Sequence, residues 1–402
     1  MVAEFKPVEI LNVPGHTAPV RVLHIVENLN NQAVESWLLR VARAAKSDYA
    51  HVHWSFFCVL GKAGSLDALA RNIGAEVIHS RYEVGDKVRF MRALREVMRA
   101  GRYDVLHCHH DIMSAAYLAA SAGLPFRKRI VHVHNTSLSL PTPSRVKSEL
   151  VREPMRQICL RLADEIVGIS TDALESLVGK GAYNPGRHHV VHYAVDTERF
   201  FRTPVDREKC RRELGLESDA RILLFVGRLT DYKNPRFVVE ILEHVSNIDK
   251  NVVAVFAGAG DEAKSIIEFA EQKSLSERIR LLGFRDDVPN LMVNSDVLIW
   301  PSIEEPKEGL GLGIVEAQAA GLPILMSLSV PEEAIVVPEL VQVLPLAIGA
   351  QQWANAVAGI LSLPRPNREA AQDKVASSSF SMAAGVSNLV MLYCDANPLF
   401  TR

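Results

Sequence analysis

The chain has 402 residues, of which 48% are hydrophobic and 23% charged, as in ordinary soluble globular proteins, and its length suggests about two to three domains. No apolar run approaches the roughly 18 residues of a membrane-spanning helix, and residues 1–11 lack the apolar core of a signal peptide. The five cysteines are scattered and include no Cys-x-x-Cys pair, so we expect reduced thiols and a cytoplasmic protein.

The net charge of −2 conceals two halves of opposite sign. Residues 1–195 contain 24 lysines and arginines against 18 acidic residues, a balance of +6. This leaves 21 of the 45 basic and 29 of the 47 acidic residues for the remainder, a balance of −8. We therefore expect only the first half to meet an anionic surface.

Apolar runs and helical patterns alternate through the first half of the chain. This alternation predicts a parallel sheet covered by helices on both faces. The predicted strands are 21–26, 52–60, 76–79, 104–109, 129–134, 165–169 and 188–192. The predicted helices are 34–46, 65–72, 87–100, 115–122, 144–162 and 171–177.

The second half repeats the alternation. Its predicted strands are 222–227, 252–258, 279–282, 297–300, 323–327 and 341–346. Its predicted helices are 235–245, 263–273, 288–294, one that ends at Gly321, 351–361 and, after a polar segment at 365–379, 381–393.

The two halves predict two α/β domains joined near residues 194–202. We place the first domain at 1–195, the second at 196–378, and a terminal helix within 379–402 that returns to the first domain. Ligands of such sheets bind outside the carboxyl ends of the strands, so two facing domains predict one shared cleft.

The most informative stretch follows the strand at 297–300. Glu308 precedes glycines at 309, 311 and 313, and Glu316 lies on the helix that begins there. A strand, a glycine-rich turn and a helix place unpaired N–H groups and a positive helix end where a phosphate can bind. Carboxylates repel phosphate, so the two glutamates point to sugar hydroxyls. The alternative is an ordinary helix N-terminus, where acidic side chains stabilise the positive end of the helix dipole.

Two cations, Arg228 and Lys233, follow the strand at 222–227. Because parallel strands end at one edge of a sheet, we expect these cations beside the Glu308 loop. Together with the helix end at Gly311 they would hold a diphosphate by charge-assisted hydrogen bonds. The alternative is a solvated pair of loop cations.

Taken together, these segments resemble the family 4 retaining glycosyltransferases of the GT-B fold, over nearly the whole chain. The segments that carry the resemblance are 193–200, 227–234, 256–261, 282–288 and 308–316. The tract 316–323, followed by Val330-Pro331-Glu332-Glu333, is most similar to the bacterial exopolysaccharide branch. The resemblance implies an α/β protein with two Rossmann-like, doubly wound parallel-sheet domains facing across a cleft.

The implied activity is transfer of a hexose-type sugar from a nucleotide sugar, with UDP as the expected base, to a glycan or lipid-linked acceptor. Glu316 would bind the ribose, Glu308 would face the donor sugar, and Arg228 and Lys233 would hold the diphosphate. The backbone near Arg285 would meet the base. The rest of the implied donor site is Gly309, Leu310, Gly311 and Leu312, and the implied catalytic residues are Glu308, His134, Arg228 and Lys233.

Histidines end two strands of the first half: His107, His109 and His110 end one, and His132 and His134 end the other. A metal site formed by these histidines, with Cys108 among them, is disfavoured, because adjacent residues on a strand point to opposite faces. Structural histidines at strand ends are the plain alternative. The resemblance places a catalytic-site histidine at His134, near the anomeric carbon, and we expect His109 to line the acceptor side.

The loop after the first strand departs from the family. Residues 27–35 contain no glycine where the family usually has a pair. We expect the side-chain amides of Asn30, Asn31 and Gln32 to contact donor or acceptor instead.

The sequence contains no Asp-x-Asp triplet, so we predict transfer without a bound metal or other cofactor. The family implies retention through an oxocarbenium-like transition state. Whether Glu308 is a nucleophile or the departing phosphate accepts the proton stays open at this point.

A basic surface is predicted on the helix at 87–100, where Arg92, Arg95, Arg99 and Arg102 follow helical spacing opposite an apolar face. Such a surface favours peripheral contact with anionic lipids at the inner face of the cell membrane, and a solvated face is the alternative. No nucleic-acid partner is expected. Further cations of the same half are Arg127, Lys128, Arg129, Arg145, Lys147, Arg152 and Arg156.

Two other functions compete with transfer. A nucleotide-sugar epimerase of the same architecture would need acid/base carboxylates at the first-half strand ends, which carry histidines instead. A non-catalytic partner subunit would explain the glycine-free loop. A dehydrogenase has the least support, because no Gly-x-Gly-x-x-Gly follows the first strand.

Overall fold

The computed structural model describes residues 18–137 and 145–394, and the side chains of all of these except 145–149. Residues up to 194 and from 382 onwards form one compact unit, and 195–381 form a second. The predicted helix start at Ser144 and the N-terminal residues 1–11 lie outside the described residues. The side chains of Arg145 and Lys147 do as well.

The first unit is built on a seven-stranded parallel sheet with the strand order 3-2-1-4-5-6-7. Its strands are β1 (Val20–Val26), β2 (Val52–Cys58), β3 (Glu76–His79), β4 (Val105–Cys108), β5 (Lys128–Val133), β6 (Glu165–Gly168) and β7 (His188–Val190). The helices that connect them are α1 (Ala33–Ala45), α2 (Asp67–Asn72), α3 (Lys87–Gly101), α4 (Ser114–Ala120), α5 (Arg145–Leu162) and α6 (Thr171–Val178).

The second unit has a six-stranded parallel sheet with the order 10-9-8-11-12-13. Its strands are β8 (Arg221–Val226), β9 (Val252–Ala257), β10 (Ile279–Leu281), β11 (Val297–Trp300), β12 (Ile324–Met326) and β13 (Val341–Val343). Its helices are α7 (Thr197–Arg202), α8 (Arg207–Glu213), α9 (Pro235–Val245), α10 (Ala263–Gln272), α11 (Val288–Asn294), α12 (Leu312–Ala319), α13 (Ala350–Ser362) and α14 (Arg368–Ala376).

The last helix, α15 (Met382–Tyr393), belongs to the first unit, where it packs against α1. Its close fit involves Gly385, where an added Cβ would lie 2.6 Å from the Cβ of Ala194. The chain therefore leaves the first unit at residue 194 and rejoins it at 382.

The predicted fold class, two Rossmann-like parallel-sheet domains, is confirmed. The strands are apolar because a parallel sheet is covered on both faces. In β8 the residues Ile222 to Leu224 are buried, and in β9 all residues are buried. The core of the second unit joins Phe225 and Phe256 to Trp353 of α13.

Three helices, α7, α8 and α14, were not predicted. The polar pattern of residues 365–379 concealed α14, which buries only Ala371, Gln372 and Val375 and begins where the Asn367 side chain accepts a hydrogen bond from the Ala370 N–H at 3.2 Å. None of the helices in residues 18–137 and 145–394 combines the length and apolar character needed to span a bilayer.

Both sheets contain a topological switch point, where consecutive connections run to opposite sides. It lies between β1 and β4 in the first unit and between β8 and β11 in the second. In open α/β sheets, ligands bind outside the carboxyl ends of the strands at this point.

Candidate active site

The carboxylate of Glu308 lies beyond β11 in the second unit and is almost fully buried. Its Oε1 accepts hydrogen bonds from Lys233 Nζ at 2.7 Å, from Trp300 Nε1 at 2.7 Å and from Ser302 Oγ. A buried charge needs such partners, because desolvation would otherwise favour its neutral form. No hydrogen bond from the described residues reaches the other carboxylate oxygen, Oε2.

Lys233 reaches Glu308 from the turn that follows β8. Its Nζ also lies 4.4 Å from the centre of the Trp300 ring, within cation–π range. An ammonium carries three N–H donors and the bond to Glu308 uses one of them. The two residues that the sequence assigned separately to diphosphate and sugar thus form an ion pair at the switch point.

The helix α12 begins directly after the glycine-rich turn. Gly311 precedes its first residue with φ +78°, and an added Cβ on Gly313 would lie 2.7 Å from the Trp300 ring. Gly313 therefore lets the helix start approach the indole that holds Glu308. The first N–H groups of α12 have no partner within the helix, and Glu316 lies farther along it, half-buried.

The two predicted arginines differ in their surroundings. Arg228 is exposed after β8, and its guanidinium makes no hydrogen bond or ion pair with another described residue. Arg285 forms two hydrogen bonds of 2.7 Å with the carboxylate of Asp287, and these bonds lower the pKa of Asp287. The guanidinium of Arg285 is thus engaged, which agrees with a role for its backbone alone.

In the first unit, five histidines share one face of the sheet and form what we call the histidine cluster: His24, His107, His109, His132 and His134. They come from β1, β4, β5 and the residues that follow β4 and β5. All are buried, with at most 7% of any residue exposed.

Hydrogen bonds divide the histidine cluster into two chains. In the longer one, His109 lies 3.1 Å from His24 and 3.1 Å from His134 by ring nitrogens. His134 Nδ1 in turn lies 2.6 Å from the Tyr193 hydroxyl. In the shorter chain, His107 Nε2 lies 3.2 Å from His132 Nδ1, and His107 Nδ1 lies 2.9 Å from the Tyr393 hydroxyl.

Burial dominates the electrostatics of the histidine cluster. It lowers the pKa of His24 to about 3 and that of His109 and His134 well below the ordinary value, and neighbouring histidines lower the latter two further. At neutral pH these rings are therefore uncharged, each with one N–H donor and one nitrogen acceptor.

The expected alternation of faces separates Cys108 from the histidine rings but does not separate these rings from one another. Burial and the nearby Cys159 of α5 raise the pKa of the Cys108 thiol. Cys108 lies on the opposite face of the sheet from the histidine rings that contact Trp37 and Tyr393. Residues two apart on a strand share a face, so His107 and His109 meet, as do His132 and His134.

Asp111 holds the backbone at His134, directly after β5, by hydrogen bonding. Its carboxylate accepts a hydrogen bond of 2.6 Å from the His134 N–H and one of 2.6 Å from the Asn135 amide. Asp111 has φ +41°, a strained conformation for a residue with a Cβ. The two hydrogen bonds offset that strain and hold the backbone that carries His134.

The loop after β1 is occupied largely with its own contacts. Asn30 Oδ1 accepts a hydrogen bond from the Ser65 N–H at 3.1 Å, and Asn31 Oδ1 accepts one from Ser36 Oγ at 2.8 Å. Their amide nitrogens are the groups that a sugar could meet. The acceptor role of both residues stays a prediction.

Five of the predicted basic residues make structural contacts. Arg95 donates to Ala122 O at 2.8 Å, Arg129 to Leu124 O at 2.9 Å and Arg156 to Val178 O at 2.7 Å. Arg127 donates to Tyr393 O, and Lys128 pairs with Glu165 at 3.6 Å. The exposed members on or beside α3 are Arg92, Arg99 and Arg102.

Sequence reasoning missed the residues that support the predicted ones. Trp300 and Ser302 hold Glu308, while Tyr193 and Tyr393 end the two histidine chains. A tryptophan at the end of a buried strand and histidines repeated at a spacing of two were the available signals. The tyrosine partners lie at least 59 residues away in sequence, and no local pattern indicated them.

Two parallel α/β units of this topology, with an ion pair and a helix start at the switch point of the second, define a GT-B glycosyltransferase. The family model described as Glycosyltransferase Family 4 matches residues 18–199, and that described as Glycosyl transferases group 1 matches residues 206–375. The chain belongs to this family of glycosyltransferases. The family match favours transfer over the competing epimerase and dehydrogenase.

Relatives extend the match across the chain. It is 28% identical over 379 residues to "Putative glycosyltransferase EpsF" of Bacillus subtilis (strain 168), covering 93% of this chain and 96% of that protein. It is 26% identical to the Escherichia coli UDP-Gal:alpha-D-GlcNAc-diphosphoundecaprenol alpha-1,3-galactosyltransferase, over 58% of this chain and 60% of the relative. The prediction of a glycosyltransferase is confirmed.

A solved structure shares the fold. The crystal structure of Anabaena Alr3699/HepE in complex with UDP matches with a TM-score of 0.72, covering 92% of this chain and 98% of that chain. The identity is 18%, so the likeness concerns the fold.

Proposed function

We propose that the protein is a retaining glycosyltransferase that moves a hexose from a UDP-sugar to a glycan or lipid-linked acceptor without a catalytic metal. The products would serve exopolysaccharide or other cell-surface polysaccharide synthesis. The E. coli relative supports this substrate class, because its name specifies a UDP-sugar donor and a diphosphoundecaprenol-linked acceptor.

The observation that carries the proposal is the Lys233–Glu308 ion pair beside the start of α12. Lys233 keeps N–H donors that its bond to Glu308 does not use, and Arg228 is exposed on the loop after the same strand. With the N–H groups of Gly311 and Leu312, these cations supply the positive field that a departing diphosphate requires. A chain with this field and no Asp-x-Asp triplet has little need of a metal clamp.

The two glutamates would address hydroxyl groups of the donor. Glu308 Oε1 is held by three donors, so Oε2 is the oxygen that would accept a hydrogen bond from the sugar. Glu316 would accept from the ribose, and Gly309 and Leu310 would line the approach to the sugar. The backbone near Arg285 would meet the uracil base.

His134 would lie near the anomeric carbon, with His109 on the acceptor side and Asn30 and Asn31 contacting the acceptor. Both ring nitrogens of His134 are bonded within the protein, to His109 and to Tyr193, so a sugar hydroxyl would replace one of these partners. A neutral imidazole suits this place, since it does not repel the developing positive charge of the sugar ring. Burial keeps His134 neutral at the pH at which the enzyme would operate.

The experiment is a transfer assay with purified protein, a panel of UDP-, GDP- and ADP-sugars and lipid-linked acceptors, with the product anomer read by NMR. We expect UDP-sugar turnover with retention, unaffected by EDTA. An inverted product would refute retention. Loss of activity in EDTA that Mg²⁺ or Mn²⁺ restores would refute metal independence.

Peripheral membrane contact is a separate part of the proposal and depends on the three exposed arginines Arg92, Arg99 and Arg102. Near a surface, each such charge contributes about 1 kcal/mol with anionic lipid. We expect flotation with anionic but not neutral vesicles, weakened in the Arg92→Ala/Arg99→Ala variant. Failure to float with either vesicle would contradict this part and leave the enzymatic proposal intact.

A further inference from the structure

The histidine cluster contains more imidazole than the proposed transfer uses. Of its ten ring nitrogens, eight take part in the hydrogen bonds described above. The remaining two, Nε2 of His24 and Nε2 of His132, have no hydrogen-bond partner among the residues that the structure describes, although both residues are completely buried.

An unpaired polar atom in a protein interior is costly, at roughly 1–3 kcal/mol each. Such exceptions in native proteins commonly mark an unseen water or ion. The two nitrogens belong to rings on the same face of one sheet that contact other rings of the cluster. His24 and His132 are also members, one each, of two groups of three buried histidines that can each offer one ring nitrogen to a common ion.

The two groups overlap at His109. One comprises His24, His107 and His109, and the other His109, His132 and His134; in each, three ring nitrogens lie within 4.8 Å of one another. Two nitrogens bound to one zinc ion at about 2.1 Å each are at most about 4.2 Å apart. In the tetrahedral geometry that zinc prefers, this separation is about 3.4 Å, so ring rotation would have to bring the nitrogens of either group closer by up to about 1.4 Å.

The chemistry of these donors selects the kind of cation. Neutral imidazole is the metal-binding form of histidine, and all five rings are buried away from water. A set of nitrogen donors suits zinc, copper or nickel and not calcium or magnesium, which require oxygen. Around the rings, Trp37, Trp54 and Phe56 exclude water, as the environment of a structural metal requires.

The tyrosines complete this arrangement. In metal sites, a ligating imidazole commonly donates its other ring N–H to a fixed partner, which sets its tautomer and orientation. Tyr193 and Tyr393 occupy that position for His134 and His107, respectively.

We propose that the histidine cluster binds one late first-row divalent cation, with His109 and two further histidines of one group as ligands. The ion would stabilise the first unit by binding its folded state. It is distinct from any ion on the donor diphosphate. Because His109 and His134 also have roles in the proposed glycosyl transfer, the test reads metal binding directly and does not depend on transfer activity.

The test uses the full chain, stripped with a chelator and titrated with Zn²⁺ by calorimetry. We expect one equivalent to bind and the melting temperature to rise. Removing the hydrogen-bond partner of a metal ligand typically weakens metal binding by roughly 10- to 100-fold. His109→Gln removes a ligand itself, so it should weaken Zn²⁺ binding by more than this. His110→Phe is the matched control, since His110 follows His109 in sequence but bonds to Tyr117 outside the two groups; it should bind as the wild type does.

Two further variants identify the group: His24→Phe should abolish binding if the ion lies in the first group, and His134→Phe if it lies in the second. Anomalous scattering at the zinc edge from wild-type crystals tests the site even if a variant fails to fold, with a peak expected within about 2.1 Å of a His109 nitrogen. Absence of stoichiometric binding to the wild type, unchanged binding in His109→Gln, or an anomalous peak only at surface histidines would overturn the proposal.

Discussion

The two units repeat one backbone design and fill it with different chemistry. After the first strand of each sheet, a leucine turns inward: Leu29 after β1 and Leu229 after β8. Leu29 O accepts the Leu66 N–H at 2.8 Å, and Leu229 O accepts the Glu262 N–H at 2.9 Å. The turn therefore follows from the shared topology and from main-chain hydrogen bonds that either sequence can make.

The side chains at the two switch points differ in charge. The second unit carries the Lys233–Glu308 ion pair with Arg228 nearby, whereas the first carries imidazoles held neutral by burial. Fixed cations suit a phosphate, and neutral donor–acceptor groups suit a hydroxyl. The comparison indicates that the shared sheet topology determines where a ligand can bind. The side chains at the switch point and their burial determine which charge the ligand can have.

The largest effect is expected from Lys233→Ala. It leaves Glu308 buried without its cation, so the free energy of unfolding should fall by about 3–5 kcal/mol and transfer by at least about 100-fold. Urea denaturation and initial rates measure the two effects, with Lys264→Ala, an exposed lysine of the same unit, as control. Adding Glu308→Gln to Lys233→Ala should restore part of the stability but none of the activity. If the double variant is no more stable than the single one, the ion-pair account is wrong.

The shared turn gives the next effect. A Cβ on Gly64 would lie 2.1 Å from Leu29 O, and one on Gly260 would lie 2.2 Å from Leu229 O. Gly64→Ala and Gly260→Ala should each lower the free energy of unfolding by about 3 kcal/mol or more, because the clash is with backbone. Gly359→Ala in α13, where a Cβ meets nothing within 4 Å, should stabilise by about 0.5–1 kcal/mol. A near-neutral result at only one of the two turns would show that the units do not share this design.

A smaller effect is expected at Glu35 of α1, a buried acid of the first unit that has no counterpart to Lys233 among the described residues. Burial raises its pKa from 4.5 to about 7. Its stabilising contribution is complete below pH 4.5 and is lost as pH rises through 7, on the order of 3 kcal/mol in total. Relative to wild type, Glu35→Gln should therefore gain stability as pH rises from about 4.5 to about 7. A pH-independent difference between wild type and Glu35→Gln would contradict the assignment.

The smallest effect is expected from Tyr193→Phe, which removes the hydroxyl bonded to His134 Nδ1 at 2.6 Å. Leaving a buried ring nitrogen without a partner should cost about 1–2 kcal/mol. The exposed Tyr183→Phe serves as control and should change stability by less than about 0.5 kcal/mol. Equal stability of wild type and Tyr193→Phe would mean that the hydroxyl does not hold His134.

Periodicity in the sequence sufficed to predict both sheets, because buried parallel strands are nearly continuous apolar runs. It also put Lys233 and Glu308 at one edge, since the strands that precede them are parallel. Periodicity could not predict the direct hydrogen bond between Lys233 and Glu308, because Trp300 and Ser302 orient the carboxylate through contacts that no sequence spacing reveals. The histidine cluster was missed for a similar reason: its face depends on strand register between β1, β4 and β5, where His24 lies opposite His107. The structural contacts of some basic residues could not be predicted, because guanidinium–carbonyl bonds such as that of Arg95 leave no sequence pattern.

The most direct test of the central claim is calorimetric binding of UDP and of uridine in the presence of EDTA. We expect wild type to bind UDP without metal. Arg228→Ala and Lys233→Ala should each weaken the affinity for UDP by at least about tenfold, and neither variant should change the affinity for uridine. UDP binding that requires Mg²⁺, or that is equally tight in the two variants, would contradict it.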